Sequence, residues 1–341
     1  GIDSASKLVE QAFGSVSGHY IGNGGLFSWD PIYPKATPVI YKPGDPADTT
    51  AKVKRAAKYC GAADVGVCEL NPRWVYSNEG GPENRPMVFE DGYDKPKFLK
   101  DKVVIPSSYK YAVVMVVPCT EEGMKCCPNA LGSGSTHRAY SDMAIAAGRL
   151  ATFIRDLGFG AIPMGNDTSL STPLAIDAGL GEPCRNSLLI NPTYGSAIRI
   201  CKVFTDLPLV PDKPIKFGVE QFCKVCRKCA KACPIQALTL EKEKTWEGPT
   251  TSANNHGVLK WYMNPEKCWD FWEANGCCCC VCIHVCPFNK PHNKWYHRST
   301  KWFIKHMPSL NSFWVKLDDA MGYGKQQPAE DFWRSDKYVP A

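Results

Sequence analysis

The chain has 341 residues, 44% hydrophobic and 22% charged, which suffices for a buried core in about two domains and is too apolar for a disordered chain. Its formal charge of +6 is scattered, with no block of five Lys or Arg, so no nucleic-acid partner is expected. No apolar run approaches the roughly 18 residues of a membrane-spanning helix, and the N-terminal Gly1-Ile-Asp-Ser4 shows neither the charged nor the apolar region of a signal peptide.

Residues 1 to 100 are rich in Pro, Gly and aromatics, with punctuation at Tyr41-Lys-Pro-Gly-Asp-Pro46 and Gly80-Gly-Pro82. They are expected to be irregular and loop-rich. From 110 to 210 the pattern becomes α/β: a buried strand over 111–117, a helix near 140–158, a short strand at 160–164, and β-rich stretches at 187–191 and 197–204. Ile145, Ala146, Leu150, Phe153, Ile154 and Leu157 recur at helical spacing, and Gly158 stands where a C-terminal cap belongs.

Residues 217–290 form a cysteine-dense unit whose halves are separated by the polar stretch 244–258. Residues 291–341, rich in Trp and Lys, carry no assignable motif and are expected to pack on the core. The domain reading is therefore 1–216, 217–290 and a C-terminal segment 291–341.

Eighteen cysteines in a chain of this length and spacing point to metal ligation rather than a disulfide framework. The first half reads Cys223-x2-Cys226-x2-Cys229-x3-Cys233-Pro234, the bacterial ferredoxin spacing for [4Fe–4S] ligation. Two-residue gaps bring three thiolates to one cuboidal cluster, while the x3 gap and proline send the fourth to a neighbouring cluster. The second half, Cys268-x10-Cys279-x2-Cys282-x3-Cys286-Pro287, stretches the first gap and keeps the ending. By ferredoxin topology one cluster takes Cys223, Cys226, Cys229 and Cys286, and the other Cys268, Cys279, Cys282 and Cys233. Structural zinc is the competing reading, but two zinc ribbons have no need of two Cys-x3-Cys-Pro endings. Register is open at the crowded second motif, where Cys278 and Cys280 flank Cys279; only Cys279 keeps both the x2 and x3 gaps. Cys119, Cys126 and Cys127 read as buried small hydrophobes.

A two-cluster unit after an α/β region, with Leu174-Ala-Ile-Asp-Ala-Gly-Leu-Gly-Glu182, Thr205-Asp-Leu-Pro-Leu209, Phe153-Ile-Arg-Asp-Leu-Gly-Phe159, Asn191-Pro-Thr-Tyr-Gly195 and Lys213-Pro-Ile-Lys-Phe-Gly-Val219, resembles the corrinoid-dependent reductive dehalogenases over about residues 110–290. The resemblance implies an α/β (α+β) fold: a nitroreductase-like core binding a cobalamin-type corrinoid, with a ferredoxin-like domain whose two [4Fe–4S] clusters feed electrons to cobalt. It implies Tyr140 as proton donor beside Asn166 and Arg199, with Thr136 on the substrate side. Taken without the resemblance, Tyr140 is a helix-start aromatic, Asn166 a turn residue and Arg199 a solvated strand charge. Phe27, Trp29, Trp74 and Tyr76 are candidates for an aromatic pocket around a halogenated small molecule. The family also implies an electron donor, a small membrane-anchor protein, pairing of two copies, and an exported location on the outer face of the bacterial cytoplasmic membrane. Two other readings stand beside it: an epoxyqueuosine-reductase-like enzyme, which pairs the same cofactors but acts on tRNA, and a non-catalytic ferredoxin-type electron carrier.

Overall fold

The computed structural model describes residues 42–249, 253–254, 256–291 and 294–335, so Phe27 and Trp29 lie outside the described residues. The first part of the chain runs α1 (Pro46–Tyr59), β1 (Asp64–Glu69), β2 (Met87–Glu90), β3 (Lys97–Phe98), β4 (Val103–Pro106), β5 (Tyr111–Pro118), α2 (Glu121–Lys125), α3 (Ala130–Asp156), β6 (Ala161–Met164), α4 (Ser171–Asp177), β7 (Glu182–Pro183), β8 (Leu189–Ile190) and β9 (Ile198–Thr205). The cysteine-rich part holds α5 (Val219–Cys226), α6 (Lys228–Lys231), α7 (Pro265–Asn275) and α8 (Val281–His284). It is followed by α9 (Trp295–His306), α10 (Asn311–Ala320) and α11 (Ala329–Arg334).

The main sheet has the order β1-β5-β9-β6, and every neighbouring pair is antiparallel. Both faces are covered, which is why β5 reads as an unbroken apolar run instead of an alternating one. Val113, Met115 and Val117 of β5, with Cys201 and Val203 of β9, meet Met143, Ala147, Leu150 and Ile154 of α3. The opposite face sends Ala112, Val114, Val116, Ile162 and Phe204 against Leu174, Ala175, Val103 and Ile105.

Two expectations need correction. Within the described part of the N-terminal third, residues 46–59 are helical and 64–69 form an edge strand of the main sheet. Helix α1 escapes a periodicity reading because threonines fill half its buried stripe: Thr49, Thr50, Val53 and Ala57 face inward. Asp45 and Pro46 nevertheless give it a regular start, the Asp45 carboxylate accepting from Ala47 N at 3.2 Å. The long helix begins at Ala130, ten residues before the expected 140. Its first turns, Leu131-Gly-Ser-Gly-Ser-Thr136, are poor helix formers, but their smallness allows close packing. A Cβ on Gly132 would overlap Cys127 Sγ, and one on Gly123 of α2 would crowd Ser135 at 2.8 Å. At the far end Gly158 takes φ +95°, as the cap reading requires.

Candidate active site and two groups of thiols

Three elements meet at the open side of α3. Tyr140 projects from the helix, Asn166 from the loop after β6, and Arg199 from the start of β9. Asn166 Nδ2 donates to the Tyr140 oxygen at 2.8 Å, and the Arg199 guanidinium lies 4.8 Å from the centre of the Tyr140 ring. The structure thus brings together the three residues that the resemblance singled out. Arg199 donates through one Nη to the Ile198 carbonyl at 2.9 Å, while its buried Nε has no partner among the described residues. Burial opposes the Arg199 charge, but Cys119, Tyr140 and Cys280 outweigh it and the guanidinium pKa is raised.

Thr136, one helical turn before Tyr140, is buried with Oγ1 3.4 Å from Cys280 Sγ, so it faces the cysteine unit. Tyr76 donates from its hydroxyl to the Asn166 carbonyl at 3.2 Å. Trp74 instead bonds Asp177 from its indole nitrogen at 3.0 Å. Sequence reasoning missed Lys202, fully buried on β9, whose Nζ donates to the Gly165 carbonyl, the Ser169 carbonyl (3.1 Å) and Ser171 Oγ (2.9 Å). It ties down both ends of the loop that presents Asn166. The available signal was a lysine in phase with Ile200 and Phe204 on a buried strand face.

The cysteines fall into two groups. Cys223, Cys226, Cys229 and Cys286 line one small cavity together with Cys184, Arg185, Arg227, Phe222 and Phe288. Cys268, Cys279 and Cys282 are electrostatic neighbours of one another and of Cys233. The two halves share a backbone device: Arg227 (φ 54°) and Cys280 (φ 55°) are left-handed residues, each opening a four-residue helix. Superimposed in sequence, these turns equate Cys226 with Cys279, Cys229 with Cys282 and Cys233 with Cys286. Among the described residues no three Cys, His, Asp or Glu groups close around a point as a single ion demands. Burial pushes the free thiols of Cys223 and Cys279 up to about 12, so binding metal there must release protons.

A second, larger cavity of about 520 Å³ opens beside the second cysteine motif. Pro118, Cys119 and Ala197 wall it at the end of the sheet where the Arg199 strand begins. Ile283 and Asn289 wall it from the second cysteine motif, and Tyr296, His297 and Tyr323 from the C-terminal segment. No helix among the described residues is long and apolar enough to cross a membrane.

No family model matches the chain. A tetrachloroethene reductive dehalogenase of Sulfurospirillum multivorans is 37% identical over 302 residues, covering 85% of this chain and 60% of that protein. A solved reductive dehalogenase, described in terms of B12-dependent dehalogenation, superposes with a TM-score of 0.71 at 25% identity, over 93% of this chain and 41% of the other. An epoxyqueuosine reductase of Cyclobacterium marinum aligns over only 42% of this chain and 43% of its own length, at 28% identity. The chain spans about three fifths of the length of the curated relatives that match most of it. By sequence and by fold, this chain is similar to the reductive dehalogenases.

Proposed function

We propose that this protein reductively dehalogenates a halogenated small molecule: two electrons and a proton convert carbon–halogen to carbon–hydrogen, and halide leaves. The observation that carries the reading is the convergence of Tyr140, Asn166 and Arg199 from three separate elements. Because Asn166 donates to the Tyr140 oxygen, the phenolic hydrogen stays available for a second acceptor. A phenol is ordinarily a weak acid, with a pKa of roughly 10. Carbon that has just taken up electrons is so much more basic that transfer from Tyr140 runs downhill. Arg199 over the ring and the Asn166 amide then stabilise the phenolate left behind.

Electrons reach the site through two [4Fe–4S] clusters, one on Cys223, Cys226, Cys229 and Cys286, the other on Cys268, Cys279, Cys282 and Cys233. The shared left-handed turn before Cys229 and Cys282 supports Cys279, rather than Cys278 or Cys280, as the equivalent of Cys226. On this reading residues 217–290 are a ferredoxin-like domain, 1–216 a nitroreductase-like core and 291–341 its C-terminal cover.

A cobalamin-type corrinoid supplies, when bound, the strongly reducing cobalt chemistry that breaks the carbon–halogen bond. The residues present fit such a group. The cavity walled by Cys119, Ala197, Ile283, Asn289 and Tyr323 is larger than a small organohalide needs, and it reaches from the second cysteine motif to Cys119, an electrostatic neighbour of Arg199. An electron donor, a small membrane anchor, pairing of two copies and an exported position on the outer face of the cytoplasmic membrane belong to the proposal on family resemblance alone.

The test is anaerobic reconstitution with B12, iron and sulfide, followed by halide release from chlorinated ethenes and halogenated phenols under a low-potential donor. About eight iron per chain is expected. Protein fully loaded with iron and cobalt that releases no halide would sink the reading.

A further inference from the structure

Arg185 lies between β7 and β8 and is 1% exposed, one of the largest fully buried side chains among the described residues. Among the described residues no carboxylate pairs with it. Its Nε and one Nη donate to the Cys223 carbonyl at 3.3 and 2.9 Å. The other Nη donates to the carbonyls of Thr239 (2.8 Å) and Glu241 (2.6 Å). The guanidinium carbon lies 4.8 Å from the centre of the Trp261 ring. Carbonyls and a π face orient a cation but do not cancel its charge.

A buried, uncompensated guanidinium is expensive unless a counter-charge stands nearby. Arg185 lines the same cavity as Cys223, Cys226, Cys229 and Cys286. Four thiolates around an iron–sulfur core carry net negative charge, and one-electron reduction adds one more. We infer that Arg185 is a fixed counter-charge of the cluster on Cys223, Cys226, Cys229 and Cys286 and raises that cluster's reduction potential.

This inference rests on reading those four cysteines as cluster ligands. The physical reason is that a nearby cation stabilises the reduced, more negative state more than the oxidised one. Guanidinium stays protonated at every working pH, so the effect is a constant bias and not a switch. Its hydrogen bonds go to main-chain oxygens, not to sulfur, so the bias comes from charge. Lys290, also near this group, is paired with Asp318 at 3.2 Å and largely offset. The electrostatic neighbours of Cys268, Cys279 and Cys282 are other cysteines, so the effect belongs to one cluster.

The experiment is an EPR-monitored redox titration of the iron–sulfur-loaded chain as parent, Arg185→Gln and Arg185→Lys. Arg185→Gln should move one cluster's midpoint to more negative potential and leave the other in place. At the parent's midpoint its reduced-to-oxidised ratio should fall about tenfold, which is about 59 mV for one electron. Arg185→Lys keeps the charge and should stay near the parent. An unmoved midpoint in Arg185→Gln overturns the inference, as does an equal shift in Arg185→Lys or a shift of both clusters. Should Arg185→Gln lose iron, Thr239→Glu keeps the test alive by bringing a carboxylate beside an intact Arg185. It must move the same midpoint the same way, and an unmoved midpoint overturns the inference. A parent chain without iron–sulfur signals would defeat the cluster reading itself, a different result.

Discussion

On β5, Val113, Met115 and Val117 face one layer while Ala112, Val114 and Val116 face the other, and hydrocarbon packing on both sides fixes the strand. The cysteine-rich part has no such plan. Its helices α6 and α8 are four residues each, and polar side chains reaching for main-chain oxygens set its course. Arg185 holds Cys223, Thr239 and Glu241, while Asp318 of α10 meets Lys228 and Lys290. The comparison teaches that apolar pattern suffices where a sheet can be sandwiched. Where the helices are short and the chain gathers thiols, ionic and hydrogen-bonded ties replace that pattern.

Under the proposed function the division extends to chemistry, the core supplying the proton and the cysteine unit the electrons. Tyr140→Phe should therefore lower dehalogenation by roughly 10²- to 10⁴-fold with iron and cobalt contents unchanged. Near-parental turnover, with chemistry rate-limiting, would remove Tyr140 from the reaction.

Asp318→Ala should be the most damaging change in the ionic region. Asp318, Lys228 and Lys290 are 9%, 11% and 8% exposed at the side chain, and breaking a buried pair costs about 3–5 kcal/mol. Asp319 also reaches Lys228 at 2.7 Å but is 60% exposed, so its compensation is weak. Leu150→Ala in the core should cost about 2–5 kcal/mol through lost contact and a cavity, because Leu150 is wholly buried. Denaturant titration gives the sizes. Hydrogen exchange sharpens the contrast: Asp318→Ala should loosen residues 217–320 and Leu150→Ala the sheet. Identical exchange patterns would erase the distinction between the two regions.

The smallest effect comes from the polar exception inside the core. Burial pushes Lys202 down to about 8. Below that pH both folded and unfolded chains carry the proton and the cost of burying it is fully felt. Between about 8 and roughly 10, the ordinary lysine range, only the unfolded chain keeps it. Stability should therefore rise with pH across that window, by about 1.4 kcal/mol per pH unit at most. Lys202→Met should flatten its share of that rise, and an unchanged slope would show that Lys202 does not titrate there.

The parts legible in the sequence were those governed by local repetition. Strands β5, β6 and β9 and the second half of α3 follow from apolar spacing, and the gathering of the cysteines into two groups follows from their gaps. The first half of α3 was hidden because Gly132, Ser133, Gly134 and Ser135 serve close packing against α2 and Cys127, at the expense of helix propensity. Arg185 and Lys202 were hidden for another reason. Their carbonyl partners are 33 to 56 residues away, and a backbone oxygen leaves no mark on composition. Tyr140, Asn166 and Arg199 were readable only through family resemblance, because three residues on three elements form a pattern only after folding.

The junction of the two regions has a consequence for protein engineering. Asn289, three residues past Cys286, accepts from the amides of Ser196 and Ala197 and donates to Ser196 Oγ and the Ile283 carbonyl. Gly195, at φ +64°, lies so close that any Cβ would overlap the Asn289 side chain. One asparagine thus joins the end of the second cysteine motif to the segment that leads into Arg199. A ferredoxin-like unit grafted from another protein would have to bring an asparagine at that position and meet a glycine opposite. Without that match the seating of one region on the other would be lost, so the two regions are not interchangeable parts.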